Sequence, residues 1–151
     1  MKRAIEMAPH VDGAVFMLQR EVGERLCAAP GSRTYGALSV FVRAAYRVEE
    51  LLRVRAGAFY PKPQVDSVVL QLRPLRPPLA AETEAFRQLV KAAFGTRRKM
   101  LRNAWRGIGN WSPSELASHA AAAGIRLEQR AETLDVEDFA TMAARLERYG
   151  A

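Results

Sequence analysis

At 151 residues the chain fits one ordinary domain or two small ones, and its 49% hydrophobic content is enough for a packed core, which excludes a disordered tail. No apolar run reaches the roughly 18 residues a membrane span needs, and Met1–Met7 lacks the apolar block of a signal peptide, so a soluble, cytoplasmic protein without a membrane partner is expected. The formal net charge of +7 favours a polyanionic partner, with membrane surface or acidic protein as weaker alternatives.

In chain order, Ile5–Ala8 reads as a helix end, Pro9–Gly13 as a turn and Ala14–Leu18 as a short buried strand. Helical spacing returns over Gln19–Leu26 and stops at the turn cluster Ala29-Pro30-Gly31-Ser32. Just before that stop lies Cys27, which as a single cysteine cannot close an intramolecular disulfide and reads as a reduced core residue. It has no metal-ligand spacing with His10 or His119, so no metal is expected. Leu38, Phe41, Val42 and Ala45 mark a second helix, and Val48–Val54 and Val65–Leu72 read as strands. Between those strands Gly57–Pro63 is kept extended by its prolines.

Arg73-Pro74-Leu75-Arg76-Pro77-Pro78 halts the last strand and suits a semi-rigid connector, so the domain junction is placed here, with domains at 1–76 and 79–151. Beyond it the pattern is helical. Phe86, Leu89, Val90, Ala93 and Phe94 form one apolar stripe, Gly95-Thr96 supplies a stop and a new N-cap, and Leu101, Ala104 and Trp105 resume the stripe. Ser112-Pro113-Ser114-Glu115 combines an N-cap serine, a proline at the first helical position and a glutamate at the third, predicting a helix from Pro113 to a stop at Gly124. Asp135 opens the last helix in the same way, with Phe139, Met142, Ala143 and Leu146 inward and an end by Gly150.

The excess charge is concentrated. Between Glu84 and Glu115 there is no carboxylate, while Arg87, Lys91, Arg97, Arg98, Lys99, Arg102 and Arg106 all fall there. In helical projection Arg98, Lys99, Arg102 and Arg106 share one face and Met100, Leu101, Ala104 and Trp105 the other. Any solvated amphipathic helix has this pattern, but ordinary surfaces mix signs, so a carboxylate-free segment favours phosphate binding. Arg97 projects toward the apolar side. The only Gly-x-Gly, Gly107-Ile108-Gly109, follows a basic helix instead of a strand and reads as a helix stop rather than a nucleotide loop. No nucleophilic triad can be assembled around His10 or His119.

Three stretches in order carry a resemblance: Phe16–Val22 with Pro30–Ser32 and Tyr35–Val40, then Gly57–Ser67, then Phe86–Asn103, ending Phe94-Gly95-Thr96-Arg97-Arg98-Lys99-Met100-Leu101-Arg102-Asn103. Together they resemble the ribosomal RNA small-subunit adenine dimethyltransferases and their relatives, the macrolide-resistance ribosomal RNA methyltransferases. The resemblance implies an α/β remnant, the last three strands of a Rossmann-like methyltransferase sheet plus helices, followed by a small all-α, RNA-binding domain, mostly helical overall. The strands would be 13–18, 48–54 and 65–72.

The parent activity so implied is methyl transfer from S-adenosylmethionine to the N6 amino group of adenines in small-subunit ribosomal RNA. Phe59 matches the phenylalanine lining the target-adenine pocket, where an aromatic face can hold a flipped base; taken alone, it would read as a loop aromatic packed on the sheet. RNA contacts are expected from Arg97, Arg98, Lys99, Arg102 and Arg106, with Lys62 and Arg20 as lesser candidates. The family's glycine-rich turn, its acidic residue for the donor's ribose and its Asn-Leu-Pro-Tyr motif have no counterpart, so the chain alone is expected neither to bind the donor nor to methylate. Two readings follow: a truncated enzyme needing its N-terminal half, or a non-catalytic RNA-binding module that docks on the small ribosomal subunit or its precursor. A DNA-binding helix-turn-helix is a poorer third.

Overall fold

A computed structural model describes residues 10–96 and 98–150, so the expected helix end at Ile5–Ala8 and the side chain of Arg97 lie outside the described residues. Strict alternation makes Ala14–Gln19 the strand β1, with Phe16 and Leu18 turned inward and Val15 and Met17 outward. The β-branched run predicted near 65–72 forms β3, Ser67–Pro74, and the strand expected from Val48 begins two residues earlier as β2, Tyr46–Val54. The sheet order is β1-β3-β2 and both pairings are antiparallel. Leu51 bulges out of register between Glu50 and Leu52.

Two helices cover one sheet face. Helix α1 (Arg20–Cys27) and helix α2 (Ala37–Ala45) supply Leu26, Val42 and Ala45, which pack with Val68, Leu70 and Leu72 of β3. The approach of α1 is set at Gly23, where any Cβ would run into Val68 Cγ1. Cys27 is half-buried there, and burial pushes its thiol above the usual range, as expected of a reduced structural cysteine. Among the described residues no helix covers the opposite face. Register places Met17, Val69 and Leu52 in one row across it, and Met17 and Leu52 are each more than half exposed.

The helical half is α3 (Glu84–Gly95), the short α4 (Leu101–Ala104), α5 (Pro113–Ala122) and α6 (Val136–Tyr149). The expected stop at Gly95 and the caps at Ser112 and Asp135 are present, but Thr96 does not cap the next helix, which starts at Leu101 behind Met100. Ser112 and Glu115 exchange the reciprocal bonds of a capping box, and so do Asp135 and Asp138. The inward stripes are those expected, with Phe86, Leu89, Val90 and Ala93 on α3 and Phe139, Met142, Ala143 and Leu146 on α6 all buried.

The expected fold class is corrected on two points. The sheet formed by the described residues is a three-stranded antiparallel one, and the helices after the connector do not make a small all-α domain. Tyr35, Val40 and Ala44, from before the connector, are buried in the same core as Phe86, Trp105 and Phe139. The reason is that α2 is apolar on two sides: Val42 and Ala45 face the sheet while Val40 and Ala44 face the helices. The proline-rich connector is held against α2 as well, since the Leu75 and Leu79 N–H groups donate to the carbonyls of Ala45 and Ala44 at 2.8 and 2.9 Å.

Two tests of this core follow. Gly109 has φ +62°, and an added Cβ would collide with Leu146 Cδ1, so Gly109→Ala should lower the unfolding free energy by roughly 1–3 kcal/mol in a urea titration. Tyr35 is fully buried, and that burial, with smaller pushes from Asp135, Asp138 and Glu137 against the pull of Arg43, raises its phenol to about 12. The folded pKa is above the ordinary value near 10, so the native state holds the proton longer and stability should fall as pH rises from about 10 to about 12. A Tyr35→Phe variant should show a shallower alkaline loss in thermal melts across that window.

Candidate nucleic-acid interface

The carboxylate-free segment is built around α4. Its apolar residues Leu101 and Trp105 are fully buried. The Trp105 Nε1–H donates to the carbonyl of Leu89 in α3 at 3.0 Å, and the ring meets Phe139 edge to face with centroids 6.2 Å apart. The first N–H groups of a helix have no partner inside it. Here those of Leu101 and Arg102 donate to the carbonyls of Gln129 and Leu127 at 2.9 and 3.0 Å, which ties α4 to the loop between α5 and α6.

The single helical face drawn for Arg98, Lys99, Arg102 and Arg106 is not what forms. Arg98 and Lys99 sit in a turn before α4, closed by the Lys99 N–H on the Thr96 carbonyl at 2.8 Å, and Arg106 lies in the turn after it. Met100, expected inward, is 38% exposed with an extended ψ of 155°. Only Arg102 rides the helix. All four cations are nevertheless exposed, and none has an ion-pair partner among the described residues. Among the described residues the Arg102 guanidinium donates only to the Met100 sulfur, at 3.1 Å. Arg87 leaves the cluster, because its guanidinium turns back to Glu82 and Glu84 at 3.6 and 3.5 Å.

The other candidates cluster at the sheet. Phe59 is half-buried at the end of a 3-10 turn, Ala56–Ala58, which is held by the Ala56 N–H donating to Asp66 Oδ1 at 2.9 Å. Lys62 is exposed in the same loop. Arg20 lies between two carboxylates, 3.6 Å from Glu24 and 4.0 Å from Asp66, so its charge is largely offset. No hydrogen bond or ion pair among the described residues joins this loop to the Arg98–Arg106 segment.

Sequence reasoning missed an aromatic stack. Trp111 lies on His119 with centroids 4.2 Å apart, His119 on Tyr149 at 5.2 Å, and the guanidinium carbons of Arg145 and Arg148 lie 5.6 and 5.3 Å from the Tyr149 centroid. Trp111 and His119 lie far in sequence from Arg145, Arg148 and Tyr149; the only hint was the i, i+3 spacing of Arg145 and Arg148. His119, read as a plain helix-face residue, accepts at Nδ1 from Arg145 Nε at 3.3 Å.

Among the described residues, two features bear on S-adenosylmethionine, and neither suits it. The Gly-x-Gly turn packs against Leu146 and follows a helix instead of a strand. A cleft with acidic lining, about 360 Å³ between Gln19, Arg20, Glu21, Glu24 and Gln64–Asp66, has Glu21 paired with Arg25, Glu24 with Arg20, and Asp66 engaged by Ala56 and Arg20. Among the described residues no group of three or more His, Cys, Asp or Glu could hold a metal, and no helix is long and apolar enough to cross a membrane.

Ribosomal RNA small subunit methyltransferase A of Geobacter metallireducens is 42% identical over 139 residues, 90% of this chain and 50% of the relative. Its namesake in Syntrophotalea carbinolica is 47% identical over 131 residues, 85% of this chain and 49% of the relative. The chain thus spans about half the length of the curated relatives it matches. The fold matches the crystal structure of a dimethyladenosine transferase from Plasmodium falciparum with a TM-score of 0.84 at 22% identity, over 99% of this chain and 63% of that one. The 23S rRNA methyltransferase ErmE gives 0.61 at 19% identity, over 92% of this chain and 56% of that one. The ribosomal RNA adenine dimethylase family model matches residues 1–148, and the chain belongs to that family.

Proposed function

We propose that this chain is the C-terminal, RNA-recognising part of an S-adenosylmethionine-dependent adenine-N6 dimethyltransferase, whose substrate is small-subunit ribosomal RNA, free or within the small subunit or its precursor. The observation that carries the reading is the set of exposed cations at Arg98, Lys99, Arg102 and Arg106, free of ion pairs and anchored through buried Leu101 and Trp105. Phosphate contacts by such cations release counterions and give salt-dependent affinity. Lys62 and Phe59 form a second contact region, with Phe59 stacking on the target adenine.

By itself the chain is not a competent methyltransferase in this reading, because its clefts do not suit the donor. The bare row of Met17, Val69 and Leu52 beside the open edge of β1 is the surface on which the remaining, N-terminal half of the fold would dock.

The test mixes purified chain with small-subunit ribosomal RNA and isotopically labelled methyl donor. The expected result is no methyl incorporation, together with RNA binding by fluorescence anisotropy that weakens steeply with salt. Incorporation by the chain alone, or binding indifferent to salt, would overturn the reading. Sedimentation separates the rival of a free-standing assembly module, which requires a stable monomer despite the bare apolar row.

A further inference from the structure

We infer that a cleft beside α4 is a pocket for one unpaired nucleobase of RNA, which adds a base-reading subsite to the phosphate contacts proposed above and rests on that reading. The cleft is lined by Arg102, Asn103, Arg106, Trp111, Leu116 and Leu127, among others, and no carboxylate lines it. Its volume of about 140 Å³ is well below the roughly 300 Å³ at which drug-sized ligand sites begin. A single planar ring system fits that space; a whole nucleotide donor does not.

The floor is apolar and fixed. Leu116 is buried, Leu127 half-buried, and Trp111 is held by its Nε1–H donating to the Tyr149 carbonyl at 3.2 Å and by its stack on His119. The side of α4 that carries Arg102 and Asn103 is set by the Leu127 carbonyl, which accepts from the Arg102 N–H, so floor and rim move as one unit. Arg102 and Arg106 at the rim are exposed and have no ion-pair partner among the described residues, placed for the phosphates on either side of an inserted base. Asn103, also exposed, offers an amide donor and acceptor at the rim, the pairing that suits the edge of a base. An apolar slot flanked by arginines and an amide is the arrangement by which single-stranded RNA is read with bases splayed out.

The experiment titrates the full chain with a ten-nucleotide RNA of mixed sequence, the same strand in a duplex, and an all-abasic strand of the same length. The base-bearing single strand should bind roughly ten-fold more tightly than the abasic one. Asn103→Ala, at an exposed site, should remove most of that difference while leaving abasic-strand binding unchanged. Binding should also quench tryptophan fluorescence, and Trp111→Phe, checked by circular dichroism to be folded, should lose the quench. Equal, salt-dependent affinity for all three probes with no quench would overturn the pocket while leaving phosphate recognition standing. No binding to any probe would overturn both.

Discussion

Trp105→Ala should cost about 3–5 kcal/mol of stability, the largest loss expected from any single substitution considered for this chain. Trp105 is fully buried, and truncation leaves a cavity between α3, α4 and α6, removes the donor to the Leu89 carbonyl and deletes the edge-to-face contact with Phe139. Urea unfolding followed by circular dichroism measures the loss. Trp105→Phe keeps most of the volume and forfeits the hydrogen bond, so it should cost about 1–2 kcal/mol. A loss under about 1 kcal/mol for the alanine variant would mean that α4 is not anchored through this residue.

Neutralising Arg98, Lys99 and Arg102 together as glutamines should weaken RNA binding on the order of 100-fold at moderate salt. It should also flatten the dependence of log affinity on log salt by about 2–3, since each phosphate contact adds roughly 0.7–0.9 to the slope. The three side chains are exposed, so the thermal midpoint should barely move. Arg20→Gln is the internal control. Its guanidinium already lies between Glu24 and Asp66, so it should change the slope little, and a slope change as large as that of one cluster residue would place Arg20 in the interface.

What was legible in the sequence was local chemistry. The Ser112–Glu115 and Asp135–Asp138 caps and the stripes of α3 and α6 depend on residues within a turn or two of each other, and those relations survive into the structure. What escaped depends on partners far along the chain. The turn at Arg98–Met100 leaves helical geometry where the N–H groups of Leu101 and Arg102 take the carbonyls of Gln129 and Leu127, a pairing no helical projection contains. The shared core escaped for a similar reason, because the Pro74–Pro78 connector marks a change in chain direction, whereas the burial of Tyr35 and Val40 is decided by helices that follow it. At the site, the carboxylate-free segment was readable from composition. The loss of Arg87 to Glu82, the offset charge of Arg20 and the Trp111 cleft were not.

The strand order has a consequence for synthesis. β3 is the last strand made yet the central one, and β1 and β2 each pair with it and not with each other. While the chain emerges from the ribosome, neither early strand has a place in this sheet until Pro74 has appeared. β2 then needs to cross only a short loop to reach β3, but β1, bearing Val15, Phe16, Met17 and Leu18, waits through the making of two helices and a strand before β3 can pair with it. During that interval the β3-facing edge of β1 is open to pairing with another chain, an exposure the finished sheet removes.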